Sequence, residues 1–176
     1  VRNNSKEWLV TRPLFAYGGI GDMNSLIAKS LFGVKNGIEN IDMFLNPHKI
    51  KDYMHVEDFC NSVVRLIDSN VRNEDFNITA SNPHSTLEIV NMIEEVTGTS
   101  LENVVKWHPE TDYLGNHRLS NKKFIDFMEF SNPRTLKQGI LQSWQSIKDA
   151  NESYNPLKYL DQAKDRDIDL KQFFPK

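Results

Sequence analysis

Short β-branched runs alternate with amphipathic helical stretches over residues 1–150, and this alternation restricts the chain to the α/β class. Trp8-Leu9-Val10-Thr11 reads as a strand stopped by Arg12-Pro13. Gly18-Gly19-Ile20-Gly21 reads as a tight turn into a helix N-capped by Asp22, carrying Met23, Leu26, Ile27 and Leu31 on one face and closed by Gly33. Ile41 to Leu45 and Tyr53 to Val56 read as strands. A helix with Phe59, Cys60, Val63, Val64 and Ile67 at helical spacing follows, and then a strand over Phe76 to Thr79. Ser85 and Glu88 form a capping box ahead of Leu87, Val90, Ile93 and Val96, with Gly98 as the stop. Thr135 and Gln138 repeat the device ahead of Ile140, Leu141, Trp144 and Ile147. No internal repeat is visible. From Asn151 the chain turns polar, so residues 151–176 are expected to form a peripheral extension to a unit spanning residues 1–150.

Composition narrows the functional classes. Hydrophobic residues at 39% and charged residues at 26% are ordinary for a globular chain of 176 residues. A net charge of -3 speaks against gripping a polyanion by charge alone, so no nucleic-acid partner is expected, but it leaves room for a ligand with one or two phosphates. Cys60 is the sole cysteine, which rules out an internal disulfide and suggests a reducing, cytoplasmic setting. No apolar run is long enough to span a bilayer, and the polar start from Val1 to Glu7 is unlike a signal peptide. The opening on Val1 is what a processed or truncated piece would show, and the sequence is read here as such a piece.

Several patterns with catalytic overtones dissolve under scrutiny. Gly19-Ile20-Gly21-Asp22-Met23-Asn24, with Asp42 downstream, has the outline of a dinucleotide fingerprint. Asn24 replaces the third glycine, however, and Asp22 would set a negative charge where a pyrophosphate must dock. A tight strand-to-helix turn is the better account. Tyr154 and Lys158 share the spacing of a phenol–ammonium pair on one helical face, but Pro156 lies between them in a polar stretch. Asp165, Asp167 and Asp169 lack the glycine turn and closing glutamate of a calcium loop. His48, His55, His84, His108 and His117 show no metal-ligand spacing with one another or with Cys60, which is read as a packing residue. No self-sufficient active site emerges.

An ordered series of segments is more telling. It runs Arg12-Pro13-Leu14-Phe15-Ala16-Tyr17-Gly18, Asn24-Ser25-Leu26-Ile27, Ile41-Asp42-Met43-Phe44-Leu45-Asn46, Lys51-Asp52-Tyr53-Met54-His55-Val56-Glu57-Asp58, and Phe76-Asn77-Ile78. It resembles the extended short-chain dehydrogenase/reductase family of NAD-dependent nucleotide-sugar epimerases and dehydratases, over roughly Trp8 to Ile147. The resemblance implies the C-terminal part of a Rossmann-like fold with its small α/β substrate-binding domain. The family's NAD phosphate loop and catalytic Tyr-x-x-x-Lys helix precede the Arg-Pro strand, so an N-terminal Rossmann half is the implied partner and no catalytic residue is assigned here. Pro13 and Leu14 match positions approaching the nicotinamide end of NAD. Asn24, Ser25 and Leu26 match the start of the helix that faces the substrate diphosphate. Met43 and Phe44 match the strand along the nucleotide base, where an aromatic face can stack. Lys51 matches the family's diphosphate arginine, with Tyr53 beside it, and Asp112 matches an acid near the ribose.

The departures bear on the ligand. Phe15 stands where the family has a substrate-contacting asparagine, and Gly19 where it has proline. Lys51 keeps the charge of arginine but not its two-pronged fork. Ser120 and Glu129 replace an aspartate and a glycine in the late segment. The resemblance implies binding of NAD and a nucleoside-diphosphate sugar, with transient oxidation of the sugar. A homodimer is among the arrangements it allows. The alternatives are a non-catalytic sugar-nucleotide binding module and an interaction protein that retains only the fold. Which sugar, base and ring carbon are involved is not legible in the sequence.

Overall fold

A computed structural model describes residues 6–19, 25–113, 115–128 and 133–150. The sequence readings at Asp22, Met23 and Asn24, at Glu129, and at Tyr154, Lys158 and the 165–169 aspartates lie outside these residues, as does the 151–176 extension. The elements run β1 (Leu9–Pro13), β2 (Phe15–Tyr17), α1 (Leu26–Lys35), β3 (Ile41–Met43), β4 (Ile50–Lys51), β5 (Tyr53–His55) and α2 (Val56–Asp68). They continue with β6 (Glu74–Ile78), β7 (His84–Ser85), α3 (Thr86–Thr97), β8 (Val105–Trp107), α4 (Lys122–Met128) and α5 (Leu136–Asp149). A 3₁₀ turn over Pro109–Thr111 follows β8.

Strands pair in twos, three of the pairs parallel. β1 runs beside β6 with Thr11 opposite Phe76, β2 beside β5 with Phe15 opposite Tyr53, and β3 beside β8 with Asp42 opposite Lys106. β4 and β7 pair antiparallel, Lys51 facing His84. Each parallel pair is separated in sequence by at least one helix, as parallel crossovers require. The class read from the alternation is therefore α/β in the structure too.

Both capping boxes form. Ser85 Oγ accepts from Glu88 N at 3.1 Å while Ser85 N donates to Glu88 Oε2 at 2.7 Å, and α3 ends at Gly98 in the left-handed region with φ 70°. Thr135 and Gln138 make the same reciprocal pair at the start of α5.

Four local expectations are corrected. The N-cap of α1 is Ser25, not Asp22: its extended backbone lets Oγ accept from Ala28 N at 3.3 Å. Gly33 does not close α1, which continues to Lys35 and ends where Asn36 Nδ2 donates to Phe32 O at 2.8 Å. Gly33 serves close packing, since a Cβ there would run into the Ile41 side chain. The strand beginning at Ile41 ends at Met43 and leaves Phe44 and Leu45 outside it. Cys60 is exposed rather than packed. α2 turns Asp58, Ser62 and Leu66 inward, because Asp58 reaches Arg134 Nη2 at 3.1 Å and Ser62 Oγ donates to Asp58 O at 2.7 Å. Val64 and Ile67 are consequently left outside with Cys60.

Two apolar clusters result. The larger gathers Leu26, Leu31, Ile41, Met43, Tyr53, Ile89, Ile93 and Ile140 from α1, β3, β5, α3 and α5. The smaller gathers Met54, Leu66, Phe76, Ile78 and Phe124. Alternation along β5 sends Tyr53 to the first and Met54 to the second, so three consecutive buried residues join the two. Among the described residues no helix is long and apolar enough to cross a membrane.

Gly139 of α5 allows a close approach by Tyr17, whose hydroxyl donates to Leu136 O at 3.2 Å. A Cβ at Gly139 would occupy the position of the Tyr17 hydroxyl. Gly139→Ala is expected to destabilise the fold by about 1–3 kcal/mol despite alanine's better helix propensity. Urea denaturation of the variant checks this, and an unchanged or raised midpoint contradicts it.

Candidate functional site

The loop after β1, β2, the first turn of α1, and the end of β3 enclose a cleft of about 520 Å³. Six of the ten residues expected at a site line it: Leu14, Ser25, Leu26, Met43, Phe44 and Tyr53. Leu26 and Met43 are buried in the larger cluster and form its floor. The Ser25 hydroxyl accepts from Ala28 N in capping α1 and keeps its own proton to donate. Phe15 makes an aromatic wall with Tyr53, ring centroids 5.3 Å apart. Burial, reinforced by the Asp112 carboxylate, pushes the Tyr53 phenol above its ordinary range, so it remains a neutral hydroxyl. Pro13 ends β1 opposite Ile78 and is exposed at the carboxyl end of the β1–β6 pair, next to Leu14 on the cleft lining. Asn24 lies outside the described residues.

Phe44 is 58% exposed, so it is not a core residue. His108 stacks on its ring at 5.0 Å between centroids and 23° between planes. Lys29 Nζ stands 5.7 Å from the ring centroid and donates to Asp42 O at 2.5 Å. Asp42, rather than standing free to take a ribose hydroxyl, accepts from His108 Nε2 at 2.8 Å. That hydrogen bond, with the nearby charges of His108, Lys29 and Lys106, holds its carboxyl below the usual range.

Lys51 and Asp112 do not line the cleft but pair with each other behind it. Both side chains are 1% exposed, with Lys51 Nζ 3.4 Å from Asp112 Oδ1 and 2.7 Å from Gly115 O. Asp112 Oδ2 accepts from Asn46 N at 3.0 Å, two residues from Phe44. A solvated lysine is thereby excluded. The ammonium on the cleft lining is Lys29, which the sequence reading missed. The available signal was spacing: Lys29 lies one helical turn beyond Ser25, on the same side of α1. His108 left no comparable signal, because its partners lie far away in sequence.

A second polar cluster closes α5 onto α2. Arg134 Nη1 donates to His55 Nδ1 at 2.9 Å and to Glu57 Oε2 at 2.9 Å, and also bonds Gln142. Glu57 N donates to the same His55 nitrogen at 3.4 Å, which places the ring proton on Nε2. That nitrogen is buried with no hydrogen-bond partner among the described residues, facing Gly18, where a Cβ would come within 2.7 Å of it. Burial, and then the Arg134 charge, lower the His55 pKa, with Glu57 and Asp58 opposing.

Two stability measurements follow. Lys51→Ala strands a buried carboxylate and is expected to cost about 3–5 kcal/mol, measured by chemical denaturation; a loss below about 1 kcal/mol would mean the pair is solvated. For His55, the unfolded chain takes up a proton near its ordinary value of 6.5, which the folded chain refuses until lower pH. Its contribution is thus intact above that pH and declines as pH falls through it toward the depressed folded value. His55→Asn should flatten the stability-versus-pH curve on the acid side, and an unaltered slope would contradict this.

No protein-family model matches the chain. Solved structures do match it. The dTDP-glucose 4,6-dehydratase of Bacillus anthracis, in complex with NAD, superposes with a TM-score of 0.74 and 20% identity, over 85% of this chain and 47% of that one. The UDP-glucose 4-epimerase of Thermotoga maritima, with UDP-glucose, gives 0.71 and 20%, over 81% and 46%. The UDP-glucuronic acid 4-epimerase of Bacillus cereus, with UDP-glucuronic acid and NAD, gives 0.69 and 16%, over 80% and 45%. The chain spans about half the length of these structures and shares the fold of their C-terminal half.

Proposed function

We propose that this chain is the nucleotide-sugar-binding part of an NAD-dependent nucleotide-sugar epimerase or dehydratase. The observation that carries the reading is the convergence of Leu14, Ser25, Leu26, Met43, Phe44 and Tyr53 on one cleft, in a fold shared with such enzymes. The neighbours' own ligands support a nucleoside-diphosphate sugar as the occupant.

In this reading Phe44 offers its ring to the nucleobase, and Lys29 offers its ammonium to the phosphates. Lys29 has one hydrogen bond to Asp42 O and three protons to give, so it can turn to an anion without breaking a buried pair. Lys51 acts at one remove: it fixes Asp112 and the Gly115 carbonyl, and Asp112 in turn holds the Asn46 amide beside Phe44 and Leu45. Tyr53, kept neutral, supplies an aromatic wall and a hydroxyl rather than a base. NAD supplies the hydride acceptor and donor when bound. The residues present fit only its nicotinamide end: Pro13 and Leu14 form a small apolar edge where β1 opens toward the cleft. Among the described residues β1 pairs with β6 alone, and α2 leaves Val56, Val64 and Ile67 exposed. Both features support a further Rossmann half as the neighbour, its strand beside β1.

Titration calorimetry on the full-length protein tests this. Phe44→Ala is expected to weaken nucleotide-sugar binding by about 1–3 kcal/mol, by the same factor for different sugars on one nucleotide. Lys29→Ala should weaken it roughly ten- to a hundredfold, with no effect on a free sugar lacking phosphates. If neither substitution changes affinity while the fold is intact, the cleft is not the nucleotide site.

A further inference from the structure

Phe44 lies beyond the end of β3 with more than half its surface in water, a setting in which an aromatic side chain ordinarily samples several rotamers. Here it has a fixed companion. The His108 backbone is pinned on both sides, its N–H donating to Met43 O at 2.9 Å and its carbonyl accepting from Thr111 Oγ1 at 2.7 Å. Its imidazole is held in turn by Asp42 through Nε2 at 2.8 Å. Asp42 is ionised and acts as the acceptor, so Nε2–H donates. The ring therefore has two restraints, one on its backbone and one on its edge, before it meets Phe44 at 5.0 Å.

The side from which it meets Phe44 matters. Phe44, Asp42 and Lys29 all line the cleft, whereas His108 does not. A spacing of 5.0 Å leaves no room for a third ring between the two, since stacked rings each need roughly 3.5–4 Å. The imidazole thus backs the phenyl ring, and a planar ligand group is received on the cleft side.

We propose that His108 is a positioning residue for ligand binding: clamped by Asp42, it holds the Phe44 ring edge-up so that its cleft face is presented to the base of a nucleotide. This rests on the reading of the cleft as a nucleotide site. Binding then incurs no cost of immobilising Phe44, because a backed ring is already ordered.

The test uses the full-length protein and two probes: a nucleoside-diphosphate sugar, which has a base, and the corresponding sugar 1-phosphate, which has none. His108→Ala should weaken the first about two- to tenfold, the range for loss of one aromatic pair, and leave the second unchanged. His108→Phe should restore affinity only in part, because a flat ring still backs Phe44 but lacks the Asp42 hydrogen bond; no recovery at all would overturn the backing role. In a Phe44→Ala background, His108→Ala should have no further effect on binding. A His108→Ala variant that binds the nucleotide sugar as tightly as the parent, or more tightly, while Phe44→Ala weakens it, overturns the positioning role and leaves the cleft assignment standing. Equal loss for both probes also overturns it, since general damage at the site, rather than at the base, would be the cause. If Phe44→Ala is itself without effect, Phe44 is no platform for a base and this proposal fails; the nucleotide reading of the cleft falls with it only if Lys29→Ala is without effect too.

Discussion

A lysine side chain with almost no exposure has to find its counter-charge inside the protein, and the arrangement around the cleft is organised by how Lys51 does so. Its ammonium meets the Gly115 carbonyl and the Asp112 carboxylate. The desolvation of two charges is large, so the pair persists only because further hydrogen bonds complete it. Asp112 completes its shell with the Asn46 amide, and the Asn46 carbonyl accepts from Thr86 Oγ1, the first residue of α3, at 2.6 Å. One buried cation therefore ties β4, the 3₁₀ turn after β8, the loop after β3 and the start of α3 into a single frame. His108 stands at the near end of the same turn, and its hold on Phe44 is only as firm as the backbone that Lys51 secures.

What was legible in the sequence, and what was not, divides by the range of the interaction. The capping boxes at Ser85 and Thr135, and the stop at Gly98, depend on residues three or four apart, and the structure reproduces them. Asp22 was read as the cap of α1 by residue type, but the helix begins at Leu26, and Ser25 caps it through Ala28 N. Gly33 looks like a terminator in isolation, but contact with Ile41, across a turn, makes it an interior packing residue. Cys60 was misplaced because apolar spacing on α2 suggests two faces, and the buried one was selected by the Asp58–Arg134 pair, residues 76 apart as counted by the Arg134 N to Asp58 hydrogen bond. The six expected residues that line the cleft surfaced through ordered resemblance, which carries long-range information that composition lacks. Lys29 did not, since the resemblance pointed to the cation at Lys51.

Phe15 and Lys51, two departures from the pattern that the sequence resembles, are braced by one loop in the structure. The Phe15 ring packs against Tyr53 and edges onto His117 at 5.6 Å. His117 pairs with Lys51 along the backbone and donates its N–H to Ile50 O at 2.8 Å. The aromatic wall is thus braced by the same loop that Lys51 holds. A lysine, with no fork for two phosphate oxygens, is well suited to gripping a backbone carbonyl and one carboxylate instead.

β5 is only three residues long, and each of its side chains is buried, Tyr53 in one apolar cluster and Met54 in the other. Adjacent peptide units cannot rotate independently when the side chains on both are locked in close-packed surroundings. The two clusters consequently share a stiff joint at β5, which disfavours a hinge between them at this point. Tyr53 belongs to that joint and also lines the cleft, so one wall of the cleft keeps its place when a ligand enters.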